Sequence, residues 1–155
     1  MNWLNRLFTK YRHPKSATKF NVLAQFIYDL RHSKYPKTQM DIYYDKQLVL
    51  QLFNQKDINS WELKIPIIPD KNGGVLIALS FNKEIIDDEQ NFDRFFKSPF
   101  FKSSVLLSHS GAESYFIAYP SSMSDNAIAE KVKNILNQVY LIDDSAELAV
   151  YVRAF

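Results

Sequence analysis

The sequence predicts an α+β fold in which helices cover a mainly antiparallel sheet of about six to seven strands. Three observations predict this class: two amphipathic helical stripes, two pairs of alternating segments joined by short connections, and one segment that is apolar on both faces. Strands joined by short turns run antiparallel, and amphipathic helices need a sheet face to cover. Together with a helix over residues 1–15, we expect two longer helices and one short helix, in the order α-α-β-β-β-β-α-β-β-α-β.

Length and composition indicate one α+β domain over 16–155, preceded by a short amphipathic segment. The 155 residues are 46% hydrophobic and 23% charged, which is enough apolar content for a core that needs no disulfide. The absence of cysteine excludes thiolate metal sites and cysteine nucleophiles. No apolar run reaches the roughly 18 residues that cross a bilayer, and no signal-peptide pattern occurs, so we expect a cytoplasmic protein.

The segment MNWLNRLFTKYRHPK, residues 1–15, predicts a basic amphipathic helix of about three turns. The stretch 1–38 carries eight basic residues and one acidic residue, whereas the remainder carries 11 basic and 16 acidic residues. A helix this short is marginal alone in water, so it needs its own domain, a partner groove or a lipid interface to cover its apolar face. The candidate docking residues are Trp3, Arg6, Leu7, Phe8, Lys10, Tyr11 and Arg12.

The first part of the domain predicts a helix followed by a hairpin. Ser16 is suited to cap a helix over 17–32, in which apolar positions recur every three or four residues. Alternating apolar residues over 40–44 and 48–52 flank Asp45-Lys46, as in two strands joined by a tight turn.

The middle of the chain predicts two more strands. Apolar residues alternate over 61–67, where Pro66 marks an edge or an end of the strand. PDKNGG at 69–74 predicts a turn. VLIALSF at 75–81 is apolar on both faces, as expected of a central strand that is covered on both sides.

The C-terminal half predicts a short helix, a second hairpin, a longer helix and a last strand. Phenylalanines at helical spacing precede Ser98-Pro99, which ends the short helix. The hairpin occupies 104–119, and Ser124 or Asp125 caps a helix with one apolar stripe. Alternation over 148–152 predicts the last strand.

The sequence contains no recognisable catalytic or cofactor-binding pattern. The three histidines lack zinc-helix spacing, and Ser108-His109 lies on a predicted strand, where adjacent side chains point to opposite faces. Three glycines cannot form either phosphate-binding loop. The acidic residues over 87–93 do not match a calcium loop, and acids are favoured at a helix start in any case. We expect no catalytic residue, cofactor or metal.

The segment FDRFFKSPFF, residues 92–101, holds five phenylalanines in ten residues. So many rings cannot all enter the core from one short helix and a proline turn, so some should be partly exposed. Exposed aromatics beside basic residues have the composition of a protein-binding hot spot, with a core-capping role as the alternative. Stacking on nucleic-acid bases is disfavoured by the acidic body. The candidate partner-binding residues are Phe92, Arg94, Phe95, Phe96, Phe100 and Phe101.

The order helix, strands, helix, two strands, helix is similar to that of small bacterial secretion chaperones and their relatives. The sequence departs from that order by an extra strand before the middle helix and a further strand at its end. The resemblance implies a bacterial protein that binds partner proteins without catalysis.

We therefore expect a non-catalytic protein-binding domain, such as an adaptor, an immunity-type inhibitor of a toxin or a secretion-chaperone-like protein. One alternative is a peripheral membrane or polyanion-binding protein that acts through residues 1–15. Another is an enzyme whose site is built from scattered residues. We expect a protein partner and no nucleic acid, with contact to a membrane surface or to further copies of the chain left open.

Overall fold

Six strands form one sheet, and each strand runs antiparallel to its neighbours. The computed structural model describes residues 20–61, 64–82, 86–109 and 112–155. The helices are α1 Leu23–Arg31, α2 Ile86–Lys97, α3 Pro99–Lys102 and α4 Asp125–Gln138, with 3-10 segments at Phe20–Val22 and Gln55–Trp61. The strands are β1 Thr38–Tyr44, β2 Gln47–Asn54, β3 Val75–Phe81, β4 Ser104–His109, β5 Ala112–Tyr119 and β6 Ala149–Ala154.

The spatial order of the strands is β4-β5-β3-β2-β1-β6. The predicted α+β class is confirmed, as are both hairpins, the last strand and the central position of β3. The predicted first helix of 1–15 lies outside the described residues, and the described part of the helix predicted over 17–32 is helical. None of the described helices is long and apolar enough to span a bilayer.

The β1–β2 turn gives the first hairpin its geometry. Asp45 and Lys46 have φ values of 47° and 64°, so both residues occupy the left-handed region. Two such residues in succession match the right-handed twist of the strands they join. The turn therefore fixes the pairing that places Tyr44 opposite Gln47.

The helices bury apolar stripes against one face of the sheet. In α4, the Ser124 hydroxyl caps the helix by accepting a hydrogen bond from the Ala127 amide at 3.1 Å. The stripe of α4 is fully buried and consists of Ile128, Val132, Ile135, Leu136 and Val139. On the sheet, alternate residues meet these helices, including Met40, Ile42, Leu50, Leu52, Ile77, Leu79, Val150 and Val152.

The opposite face of the sheet carries a smaller apolar cluster. Phe53, Leu76 and Phe116 pack there against Ile58 of the Gln55–Trp61 segment. Beyond this cluster the same face is polar, with Gln39 and Asp41 on β1. The helices therefore cover one face of the sheet, whereas the 3-10 segment covers the apolar part of the other face.

The third strand predicted over 61–67 is wrong. Trp61 ends a 3-10 helix, and the described residues 64–70 form no strand. Trp61, Ile65 and Ile67 pack, half-buried, against the cluster on the opposite face. An extended segment that crosses a sheet face buries every second side chain without pairing, so its sequence alternates like that of a strand. Pro66 and Pro69 also lack the amide hydrogen that strand pairing requires.

Candidate functional site

The phenylalanine-rich segment forms α2 and α3 and packs on the end of the sheet next to β4. The ring of Phe95 lies 5.1 Å from that of Tyr115 and 5.4 Å from that of Phe81, and Phe95 is fully buried. Phe100 is also buried. Two of the predicted partner-binding residues are therefore part of the core in the isolated chain, where they rigidify the surface above them.

Phe96 is the exposed member of this segment, with 56% of its surface open to solvent. Its ring lies 4.8 Å from the half-buried Phe101 and 6.3 Å from Phe92. Leu106, on β4, pairs directly with Tyr115 and therefore points to the same side of the sheet, where it is 45% exposed. We name the surface formed by Phe96, Phe101 and Leu106 the aromatic surface.

Arg94 lies apart from the aromatic surface, although the sequence grouped them together. Its Nε donates to the Val139 carbonyl at 2.7 Å, and its Nη2 donates to the Asn91 side chain. Helical spacing places Arg94 with Asn91 on one side of α2 and Phe96 on the other. The structure thus brings the aromatic rings together without this basic residue.

The other predicted docking set lies in residues 1–15, outside the described residues. Trp3, Arg6, Leu7, Phe8, Lys10, Tyr11 and Arg12 therefore stay predictions. The next described residue, Phe20, is buried in the core on the helix-covered face.

A polar network at one end of the sheet was missed by sequence reasoning. The side chain of Arg31, only 12% exposed, donates from Nε to the Gly73 carbonyl and from Nη2 to the Ser121 carbonyl, at 3.0 and 2.7 Å. Its Nη1 reaches the Met123 carbonyl and the Asp125 carboxylate, at 2.9 and 2.8 Å. A depression of about 340 Å³ opens here, but the guanidinium is already engaged. Arg31 is therefore a structural residue.

Asp70 and Gln55 extend the polar network into the turn before β3. The side chain of Gln55 donates from Nε2 to the main-chain carbonyls of Val75 and Tyr119. Its Oε1 accepts a hydrogen bond from the main-chain amide of Asp70. The Asp70 carboxylate accepts from the amide of Ser121 at 2.6 Å, and this contact leads the causes that lower the pKa of Asp70. The network joins the helix layer to the loop on the other side of the sheet.

The tyrosines with shifted pKa values are unsuited to act as bases. Burial, followed by a hydrogen bond to Glu113, raises the pKa of Tyr115 to about 12. Burial, with Asp88 nearby, also raises the pKa of Tyr140, whose hydroxyl has no hydrogen-bond partner among the described residues. Both side chains stay protonated at neutral pH.

The acidic stretch at the start of α2 serves the helix terminus. The Asp88 carboxylate accepts a hydrogen bond from the Asn82 amide at 3.0 Å, which joins the first turn of α2 to the residue after β3, and acids are favoured at a helix start by the helix dipole. Among the residues that the structure describes, no group of three or more acidic or histidine side chains could hold a metal ion.

A buried ion pair on the polar part of the opposite face is the other feature that the sequence did not indicate. Asp41 is 2% exposed, and its carboxylate lies 3.3 Å from Nε of Arg153. Gln39 and Gln51 donate to the same carboxylate at 2.9 and 3.0 Å. The guanidinium of Arg153 also lies 5.1 Å from the ring of Tyr151. This cluster is satisfied internally and joins β1, β2 and β6.

Comparison with protein-family models, with curated proteins and with solved structures gives no match for this chain.

Proposed function

We propose that this chain is a non-catalytic protein-binding domain whose partner contacts the aromatic surface. The observation that carries the proposal is the exposure of Phe96 beside the rings of Phe92 and Phe101, which are half-buried and pack against the core. An aromatic side chain on a rigid base loses little conformational freedom on binding, and such residues dominate the energetics of protein interfaces. Phe101 lies beside it, and Leu106 is exposed on the same side of the sheet as Tyr115.

The edge of the sheet beside this surface favours an extended partner. Within the described sheet, β4 pairs with β5 alone, so its outer backbone groups face away from any other strand. An exposed edge can accept a further strand through main-chain hydrogen bonds, while alternate side chains of the partner contact the flanking surface. A segment with apolar residues at every second position would fit β4 and the aromatic surface together.

The order of elements also supports a protein-binding role. Without the wrongly predicted strand over 61–67, one of the two departures from the order of small secretion chaperones disappears. The strand β6 remains as the other departure. Similarity of fold alone does not deliver function, so the proposal rests on the aromatic surface and takes adaptor, inhibitor and chaperone as its possible forms.

Affinity capture from the native host, followed by mass spectrometry, tests this proposal with a matched pair of variants. Phe96→Ser removes the exposed ring, and Ile68→Ser removes a still more exposed apolar side chain far along the chain in the 64–70 loop. We expect Phe96→Ser to weaken the captured complex roughly tenfold or more, because truncation of a hot-spot aromatic costs about 2 kcal/mol. Ile68→Ser should bind as the wild type does.

Circular dichroism of both variants establishes that they are folded before capture. The proposal is wrong if Phe96→Ser retains every stoichiometric partner at wild-type affinity. It is also wrong if the wild type captures no partner and instead turns over a metabolite, which would favour an enzyme.

A further inference from the structure

The strand β4 offers the accessible edge of the described sheet. Leu106 of β4 is 45% exposed, whereas Val150 and Val152 of the other edge strand, β6, are each 3% exposed. Folded monomers commonly protect an open edge with lysine, proline or a β-bulge. The sequence of β4, SVLLSH, has no lysine, arginine, acidic residue or proline, and its register with β5 is unbroken. This edge therefore lacks the features that prevent the addition of a further strand.

The register of the sheet shows which main-chain groups of β4 point away from it. The Gln55 amide donates to the Gly74 carbonyl at 2.8 Å, on the β2 side of β3. Along an antiparallel strand, successive residues direct their main-chain groups to opposite sides. Ile77, three residues after Gly74, therefore bonds to β5, where it lies opposite Ile117.

The same alternation continues across β5 into β4. Phe116, next to Ile117, bonds to β4, where it lies opposite Val105. Val105 therefore directs its amide and carbonyl groups toward β5, and Leu106 directs its own away from the described sheet. The residues of β4 with outward main-chain groups are Ser104, Leu106 and Ser108.

The side chains of β4 are apolar on both sides of the sheet. Leu106 points to the helix-covered side, because it lies opposite Tyr115 of the main core. Val105 and Leu107 point to the other side, where Leu107 packs against the smaller apolar cluster. A strand added here needs apolar side chains next to Leu106 and, at the alternate positions, next to Val105 and Leu107. The strand β4 itself has this composition.

We propose that β4 pairs in antiparallel orientation with β4 of a second copy of the chain, about a two-fold axis. This inference rests on the proposed function, because it names the extended partner expected at this edge. Leu106 lies opposite the same residue of the second copy. Val105 then lies opposite Leu107 of that copy, and the outward main-chain groups of the two strands face each other. Apolar side chains thus meet apolar side chains on both sides of the joined sheet.

The charges around β4 favour pairing between identical copies. A side chain on the axis meets its own copy, so a charged residue there would repel itself, and β4 carries none. Lys102, just before β4, is exposed and forms no ion pair with another described residue. Antiparallel pairing brings Lys102 to the same end of the interface as Glu113 of the second copy, which lies opposite Ser108 in β4 of that copy.

The pairing also joins the aromatic surfaces of the two copies. The ring of Phe101 lies 5.8 Å from that of Tyr115, the residue opposite Leu106. Contact between the two Leu106 side chains therefore connects one aromatic surface with the other. Apolar area that is exposed in the single chain is covered in the pair.

Sedimentation equilibrium of the purified full chain tests the pairing. We expect the average mass of the wild type to rise with protein concentration from that of the monomer toward twice that value. Leu106→Lys and Leu106→Glu should each raise the dissociation constant at least about tenfold, because like charges would face each other across the axis. An equimolar mixture of these two variants should recover the dimer, because opposite charges would then face each other.

Matched controls place the same charges outside the sheet. Ile68 is 96% exposed, so Ile68→Lys and Ile68→Glu introduce them without contact to β4. Neither control should change the dissociation constant, and mixing the two should have no effect. Circular dichroism establishes that all four variants are folded.

A cross-link gives a second measurement that does not depend on charge. The chain has no cysteine, so Leu106→Cys introduces a single thiol. Hydrogen-bonded residues opposite each other in an antiparallel pair have Cα atoms about 5.5 Å apart, a separation that a disulfide spans. We expect Leu106→Cys to form a covalent dimer under mild oxidation and Ile68→Cys to remain monomeric.

Three outcomes would overturn the proposal: a wild type that stays monomeric at every concentration, a dimer that both Leu106 charge variants leave unchanged, and a loss of dimer that mixing these variants does not reverse. A monomer that captures another protein through Phe96 would assign the edge of β4 to that protein and keep the proposed function. A dimer with the expected response at Leu106, in a chain whose Phe96→Ser variant retains every captured partner, would support the β4 pairing and reject the role of Phe96.

Discussion

The two faces of the sheet are stabilised in different ways. The helix-covered face buries aliphatic residues from every strand except the edge strand β4, and all four described helices contribute to this core. The opposite face has apolar contacts under the 3-10 segment and, toward β6, the ion pair of Asp41 and Arg153. The comparison indicates that apolar burial on the helix face contributes most of the stability of the fold, whereas hydrogen bonds and an ion pair stabilise much of the other face.

Adjacent residues of β3 give the strongest test, because Ile77 points to the helix face, Leu76 points to the other face, and both are fully buried. We expect Ile77→Ala to lower the free energy of unfolding by about 4 kcal/mol and Leu76→Ala by about 2 to 3 kcal/mol. Elements on several sides hold the site of Ile77 open, while the short 3-10 segment over Leu76 can move inward. Urea unfolding measures both values, and equal losses would break the comparison.

We expect the next largest loss of stability when the ion pair on the opposite face is broken. Asp41→Asn removes the charge that faces Arg153 in a site almost closed to water, so we expect a loss of about 2 kcal/mol. The exposed pair of Lys133 and Asp144, at 3.0 Å, is the control. Asp144→Asn should leave the unfolding midpoint nearly unchanged. Similar effects of the two substitutions would mean that burial does not strengthen the Asp41 pair.

The cap of α4 tests how much the helix layer depends on its polar ends. Ser124→Ala removes the side-chain acceptor of the Ala127 amide, and we expect a loss of about 1 kcal/mol. Ser124→Asp should restore most of that stability, because aspartate accepts the same hydrogen bond. Thermal unfolding of the three proteins measures the difference, and a loss as large as that of Ile77→Ala would contradict the dominance of apolar burial.

The smallest expected change in stability concerns Asp70 of the polar network, and it occurs only in acidic solution. The pKa of Asp70 is lower in the folded chain than its ordinary value of 3.8. Its contribution to stability is therefore present above that value and is lost as the pH falls through the lower folded pKa. Between about pH 5 and about pH 2, Asp70→Asn should lose less stability than the wild type.

Urea unfolding midpoints measured across that pH range show how steeply the stability of each protein falls with pH. Asp93→Asn removes an exposed carboxylate on α2 and should keep the slope of the wild type. If Asp70→Asn and the wild type have parallel profiles, the hydrogen bond from the Ser121 amide does not stabilise the charged form of Asp70.

Elements defined by their own periodicity were predictable from sequence, and α4 is the clearest example, since its whole apolar stripe is buried. The segment over 61–67 was misread because packing on a sheet face produces the same alternation as pairing within a sheet. The crowding of rings over 92–101 correctly indicated that some would be exposed, and Phe96 is. Which ring this would be depends on the packing of α2, which turns Phe95 toward Phe81 and Tyr115.

The polar network had no sequence signal. Arg31 contributed to the charge of the first 38 residues, but three of its four hydrogen bonds go to main-chain carbonyls. Any residue type carries such a carbonyl, so its position depends on tertiary structure alone. A groove of about 280 Å³ between α2 and the β1–β2 hairpin was missed for a related reason, because separate elements contribute Tyr44, Asp87 and Tyr140.

The loop before β3 restricts how this sequence can diverge. A Cβ atom on Gly74 would lie 2.7 Å from the Tyr119 carbonyl oxygen and 2.8 Å from Nε2 of Gln55, and Gly73 has a φ of 100°. Homologues that keep the polar network must therefore keep glycine at both positions, whereas the exposed residues at 71 and 72 can drift. A distant homologue would be recognised by Gln55 together with the Asp-x-x-Gly-Gly pattern of residues 70–74, even after its helices have lost detectable similarity.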